Sequence, residues 1–246
     1  MKPSAAWRAA FRLAALALTL AAPVSAQTVL VSPTAYNINP LSSNTAQVRF
    51  ENRTTLPVKF RVEVLRWSTE NGQYIYTPTR DVVANPAEFT IAPQATQVIR
   101  VGVLKRVGDD ELTYRVFVRQ VAGGDVTQVP SSTTDAQINI NKLISISLPV
   151  YVAPPSSAPK LSAQAKVGAA GSLELQLSNT GNRHLTLRQL RLQVGSQKVD
   201  LGNAAVLGHS VLNLPVPGLN PGASSVEMLY NDVKGDEQRE TLSVAR

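Results

Sequence analysis

The sequence predicts an all-β protein built from two immunoglobulin-like β-sandwich domains, on three observations. Short runs of alternating apolar and polar residues, the period of a strand with one buried face, recur through the chain. Turn-forming residues separate these runs at regular intervals, and no convincing amphipathic helix interrupts the first half. A proline-rich stretch then divides the chain in two. An open sheet is disfavoured, because one of its faces would lack cover.

Residues 1–26 read as a secretory signal peptide. Lys2, Arg8 and Arg12 give a positive start, Leu13 to Ala22 a short apolar segment, and Val24-Ser25-Ala26 a small-residue cleavage site. The uncharged apolar run of roughly ten residues falls short of the ~20 a membrane-spanning helix needs. Cleavage is expected near Ala26, leaving an exported, soluble chain from Gln27.

The first domain is expected over residues 27–153. Val29 to Ile38 is extended, and Pro33 within it favours an edge position. Ala46 to Glu51 alternates and leads into a turn at Asn52-Arg53-Thr54-Thr55. Val58 to Trp67 puts Val58, Phe60, Val62 and Val64 on one side and Lys59, Arg61 and Glu63 on the other. Asn71-Gly72 signals a hairpin. Phe89 to Ile91, Gln97 to Val103 and Tyr114 to Val121 complete the set.

The segment Ile138 to Val152 stands apart. Its even positions are Ile138, Ile140, Lys142, Ile144, Ile146, Leu148, Val150 and Val152, while most odd positions are polar or small. As one strand it would run about 50 Å at ~3.3 Å per residue, two to three times the usual length. Either another chain covers part of that apolar row, or the run breaks into two strands. Lys142 interrupts the row, and its stem can lie along apolar surface while the ammonium reaches water.

Pro154-Pro155-Ser156-Ser157-Ala158-Pro159 predicts a stiff, extended linker over 154–159 with few cross-contacts. A smaller β-sandwich is expected over 160–246, with strands at Ser172 to Leu177, Leu185 to Val194, Ser210 to Leu214 and Ser225 to Tyr230. Asn179-Thr180-Gly181-Asn182 and Asn220-Pro221-Gly222 supply turns between them. From Asn231 onward the chain is charged and its conformation is left open.

Composition narrows the function. The signal carries three of 24 basic residues and no acid, leaving 21 basic residues against 17 acidic ones, a net +4. These charges are dispersed, so no nucleic-acid partner is expected. With no cysteine, neither disulfides nor thiolate metal sites can form, and apolar cores must hold the fold. No enzyme is expected. The only histidines, His184 and His209, sit beside turn-like sequence, and no phosphate loop, Gly-x-Ser-x-Gly or His-Glu-x-x-His occurs. Asp109-Asp110-Glu111 after Gly108 reads as a solvated loop, although its carboxylates would also suit a weak calcium site. No cofactor, metal or small-molecule substrate is expected.

Asn85-Pro86 through Val101, Glu111 through Val116, and Leu148-Pro149-Val150-Tyr151-Val152-Ala153-Pro154, taken together, resemble the periplasmic chaperones of the chaperone–usher pilus pathway. The resemblance covers nearly the whole mature chain, is strongest from Pro86 to Pro154, and in the second half extends to architecture alone. It implies two immunoglobulin-like domains joined at an angle, a periplasmic location, and pilus (fimbrial) subunits and an outer-membrane usher as partners. Such subunits are incomplete sandwiches, and the chaperone lends an edge strand to their groove. The resemblance assigns that donor role to Ile138, Ile140, Ile144 and Ile146, with Leu148, Val150 and Val152 filling the chaperone's own core. Three or four isoleucines buried in a partner, at ~1.5–3 kcal/mol each, give several kcal/mol before ordering costs.

The chain departs from the family's best-known branch at one place. Those members grip the subunit's C-terminal carboxylate with an arginine on the first strand and a lysine near the end of the donor strand. Here those positions fall near Ala35 and Pro149, neither of them basic. Arg100 and Arg115 are the candidate substitutes, because a guanidinium holds a carboxylate through paired hydrogen bonds. This departure fits a divergent branch, of the kind linked to archaic or spore-coat-like pili. An exported structural or adhesive β-sandwich protein of the cell surface, working by self-association, is the alternative. The sequence also leaves open self-association of the free protein to shield its edge.

Overall fold

The structure, a computed structural model, describes residues 29–121, 143–168, 171–219 and 222–245. The signal segment and the donor positions Ile138 and Ile140 lie outside the described residues. Among those described there is no helix, and none long and apolar enough to cross a membrane. Two β-sandwiches follow one another along the chain.

The first sandwich holds β1 (Val29–Ser32), β2 (Tyr36–Ile38), β3 (Thr45–Asn52), β4 (Val58–Glu70), β5 (Gln73–Pro78), β6 (Val82–Asn85), β7 (Glu88–Ile91), β8 (Thr96–Val103), β9 (Leu112–Gln120) and β10 (Ser145–Val152). One sheet has the order β1-β3-β8-β6, and the other β2-β10-β9-β4-β5 with β7 also on β4. The N-terminal extended segment is split at Pro33: β1 joins the first sheet and β2 the second. A proline cannot donate to a ladder, so the chain leaves one sheet edge there and enters the other.

The long strand β4 shares one edge between β7, opposite Val58 to Arg61, and β5, opposite Leu65 to Glu70. The hairpin at Asn71-Gly72 forms with φ of 50° and 77°, the left-handed pair that a tight two-residue β-turn needs. Inward residues behave as their alternation requires: Phe60, Val116, Val118 and Val150 are fully buried. Phe89 bridges the two sheets, its ring 5.6 Å from Phe60 and 6.4 Å from Phe50.

The second sandwich comprises β11 (Leu161–Val167), β12 (Leu173–Asn179), β13 (Leu185–Val194), β14 (Gln197–Val206), β15 (Ser210–Val216), β16 (Ser225–Asn231) and β17 (Glu237–Ala245). Their order is β14-β13-β16-β17-β11-β12-β15, with β11 and β17 joined in parallel at only two positions. Leucines dominate its core, among them Leu173, Leu175, Leu177, Leu187, Leu190 and Leu192, all fully buried.

The same device closes a turn in each sandwich. At the end of β3 the buried Asn52 amide donates to the carbonyls of Leu56 and Ile91, and its side-chain oxygen accepts from the Thr54 N–H. At the end of β12, Asn179 donates to Arg183 and Val206 and accepts from Lys160 and Gly181. A buried side chain that satisfies loop carbonyls removes the penalty those groups would otherwise carry.

Strands β5, β6, β11, β14 and β17 go beyond the sequence reading, and the stretch after Asn231 is a turn followed by a strand. The linker differs from its expectation. Pro154 to Ser157 folds into a hydrogen-bonded turn, with the Ser157 N–H donating to the Pro154 carbonyl at 3.0 Å. The Ala158 N–H then donates to Asn182, so the connector is braced against the second sandwich instead of running free.

Candidate functional site: an open strand edge beside the domain joint

β10 carries the later part of the apolar row described from sequence, Ile146 to Val152, with Ile144 just before it. It pairs with β9 along its whole length, Ser145 to Val152. On its other side β2 covers only Val150 to Val152. Among the described residues, the backbone edge from Ser145 to Pro149 has no strand partner. Leu148, Val150 and Val152 are buried in the first core. Ile144 and Ile146 pack against that core but are only partly covered. Val29 and Val31 of β1, which pairs with β3 on the other sheet, are half-buried against the same core.

The structure does not bring the two candidate arginines together. Arg100 is exposed on the outer face of the β1-β3-β8-β6 sheet, in register with Gln47 and Asn85, and its guanidinium reaches Gln47 Oε1 at 3.5 Å. Arg115 is on the other sheet, with Pro149 of β10 as its direct cross-strand neighbour. Its guanidinium carbon lies 4.0 Å from the centroid of Trp67, its Nη1 reaches Ser147 Oγ at 3.5 Å, and its buried Nε has no hydrogen-bond partner among the described residues. No carboxylate pairs with Arg115 among the described residues. The face of Trp67 holds the cation where a carboxylate would otherwise have to.

Arg115 borders the joint between the sandwiches. Trp67 and Tyr151 of the first form a small buried cluster with Ala205 and Leu207 of the second. Tyr74 packs its ring edge 5.2 Å from Trp67, and its hydroxyl donates to the Ala205 carbonyl and accepts from the Ala205 N–H. Burial raises the Tyr74 hydroxyl above its ordinary range. Burial likewise pushes Tyr151 up to about 12, against smaller lowering by a hydrogen bond with Thr186 and the charge of Arg115. The hairpin tip docks too: the Asn213 N–H donates to the Gly72 carbonyl at 2.8 Å.

In the acidic cluster Asp109 and Asp110 are exposed in a loop, as the sequence reading expected, but Glu111 departs from it. The Glu111 side chain is 1% exposed, and its carboxylate takes both the backbone N–H and the ring Nδ1 of His184, at 2.8 and 2.7 Å. The His184 ring stacks on Tyr151 with 3.4 Å between centroids. Asp110 meets His209 at 3.1 Å, and the Asp109 carbonyl accepts from the Asn182 amide. Both histidines therefore fasten one domain to the other. No group of three or more potential metal ligands occurs among the described residues. Sequence reasoning missed this joint because its partners lie 73 or more positions apart.

No protein-family model and no curated protein sequence matches the chain. Solved structures do. The chain is similar to a chain of the CsuC–CsuE complex of chaperone and tip adhesion subunit, from the archaic chaperone–usher Csu pili of Acinetobacter baumannii. That match has TM-score 0.65 and 16% identity, covering 89% of this chain and all of that one. It is similar to the YadV chaperone, with TM-score 0.59 and 15% identity over 87% of this chain and 98% of that one. A chain of the Salmonella enterica SafA pilin–SafB chaperone complex matches with TM-score 0.59 and 15% identity, over 89% and 97%. The two immunoglobulin-like sandwiches thus have the fold of pilus chaperones.

Proposed function

We propose that this protein is a non-enzymatic periplasmic chaperone that binds incomplete immunoglobulin-like pilus subunits by donor-strand complementation and passes them to an outer-membrane usher. One observation carries the reading: the free edge of β10 at Ser145–Pro149, with partly covered isoleucines beside it. An unpaired edge is a template for another chain, and an apolar row on it supplies fit to a groove. Ile144 and Ile146 act as donor residues, with Ile138 and Ile140 continuing the same alternation in sequence. The likeness to chaperones solved with a tip adhesion subunit and with a pilin supports the same partner class.

Of the two arginines, Arg115 is the better receiver for the subunit's C-terminal carboxylate. It is the cross-strand neighbour of Pro149, the position where the family resemblance places a lysine, and among the described residues it has no acidic partner. Arg100 has a whole sandwich between itself and that place. No nucleotide is required, because exchange for the next subunit's strand can run downhill.

Co-expression with candidate subunits from neighbouring genes, followed by pull-down, tests the proposal. Ile144→Asp and Ile146→Asp place a charge in the guest's groove and are expected to cut recovery more than tenfold. Circular dichroism checks that the variants stay folded. Recovery equal to the parent's would remove the donor assignment.

A further inference from the structure

We infer that the outer face of the second sheet, next to the open edge, is a further seat for the guest, one that takes large apolar side chains close to its terminal carboxylate. This rests on the chaperone reading above. A sheet face turned to water ordinarily carries polar residues. On this one, Leu65 of β4, Tyr76 of β5 and Phe117 of β9 point outward and belong to none of the three buried clusters. Phe117 and Tyr76 meet edge to face, with centroids 5.4 Å apart and planes at 89°. Tyr76 keeps 38% of its surface exposed. The fold's own cores do not account for this cluster.

Register ties the cluster to the proposed guest edge. One row across the sheet reads Glu63, Phe117, Ser147, and the next Leu65, Arg115, Pro149. Phe117 is two residues from Arg115 on the same face, about 7 Å along the strand, and β10 is one strand spacing of about 4.8 Å away. A chain end whose carboxylate sits on Arg115 would carry its last few side chains onto Phe117, Tyr76 and Leu65. Trp67 is excluded as part of the seat, being 1% exposed beneath the Arg115 guanidinium.

Charge points the same way. Arg119 pairs with Glu63 and lies 4.8 Å from the centroid of Phe117, and Lys59 pairs with Glu88. Arg61 reaches Glu88 only at 3.6 Å, and among the described residues no carboxylate pairs with Arg115, so the described residues of this face carry surplus positive charge. Aromatic rings interleaved with arginines are the composition that dominates binding energy at protein interfaces. An acidic chain end with aromatic or large aliphatic residues matches both features.

The test uses the full chain, isotope-labelled, titrated to millimolar concentration with three synthetic hexapeptides of otherwise glycine and serine. One ends in two phenylalanines and a free carboxylate, one is its C-terminal amide, and one has serines in place of the phenylalanines. The first is expected to shift amides around residues 76 and 115–119, and Phe117→Ser is expected to weaken it about tenfold. Phe117→Leu should restore most of the affinity, which separates a lost contact from a damaged fold. Equal shifts from the serine peptide, or none at these residues from any peptide, would overturn the seat. The parent reading fails differently: if Ile144→Asp leaves subunit recovery intact while the aromatic peptide binds, the donor strand is wrong and the seat stands.

Discussion

Glu111 is the residue whose removal should be felt most. Its carboxylate is buried and serves two donors of His184, a residue of the other domain. Taking away one partner of such a pair leaves the other's polar groups stranded, so Glu111→Ala is expected to cost about 3 kcal/mol. Thermal unfolding would show it, and a loss under 0.5 kcal/mol would mean the contact is incidental. Gly72 is constrained twice: its φ is +77°, and an added Cβ would stand 2.4 Å from Asn213 Nδ2. Gly72→Ala should destabilise the protein by about 1–3 kcal/mol, read from the same melts. Tyr151 makes a pH prediction. Its hydroxyl, raised by burial to about 12, is above the ordinary tyrosine value of about 10. The stability it contributes is complete below pH ~10 and is lost as pH climbs through ~12, amounting to about 2–3 kcal/mol. Melting curves between pH 9 and 12 should fall more steeply for the parent than for Tyr151→Phe.

At the scale of elements, the sequence showed most where burial is decided locally. β4, β8 and β9 alternate cleanly because each has one face in the first core, and Asn71-Gly72 dictates its turn through backbone geometry alone. β5 escaped notice because it buries little in either core, its residues lying at the joint or open to water. β17 escaped because Glu237 to Thr241 are all exposed, so charge masks the strand period. The apolar row of β10 was legible, yet which of its edges stays unpaired depends on where β2 stops, which no pattern encodes. From that edge a separate prediction follows. The Gln120 N–H donates to the Ile144 carbonyl and the Ala153 N–H to the Ile38 carbonyl, so the register turns the Ser147 N–H away from β9 and toward the uncovered side. A proline there removes a donor from the guest alone, and Ser147→Pro should reduce subunit recovery severalfold while shifting the melting temperature by only a few degrees. Recovery equal to the parent's would show that the guest does not pair with this edge.

For the whole molecule, the sequence indicated two sandwiches joined by a stiff, extended linker with few cross-contacts. Three contacts say otherwise: the docked hairpin tip, the aromatic cluster around Trp67, and the acidic loop against His184 and His209. Each joins segments far apart in the chain, which is why linker composition alone gave the opposite impression. On the proposed chaperone reading the joint has a use, since Arg115 sits at its border and the guest's chain end would need a fixed place to land. Loosening the joint with Glu111→Ala should therefore weaken subunit recovery as well as lower the melting point, although Glu111 is buried against His184 at the joint. A variant that melts early yet recovers subunit like the parent would separate the two effects.

The braced turn at Pro154–Ser157 has a practical corollary for anyone handling the protein. Ser156 is open to solvent, while the docked hairpin tip, the Trp67 cluster and the Glu111–His184 contact that join the lobes lie elsewhere. A protease that severs the peptide backbone at that point should therefore leave two fragments that still migrate as one species on a sizing column, parting only in denaturant.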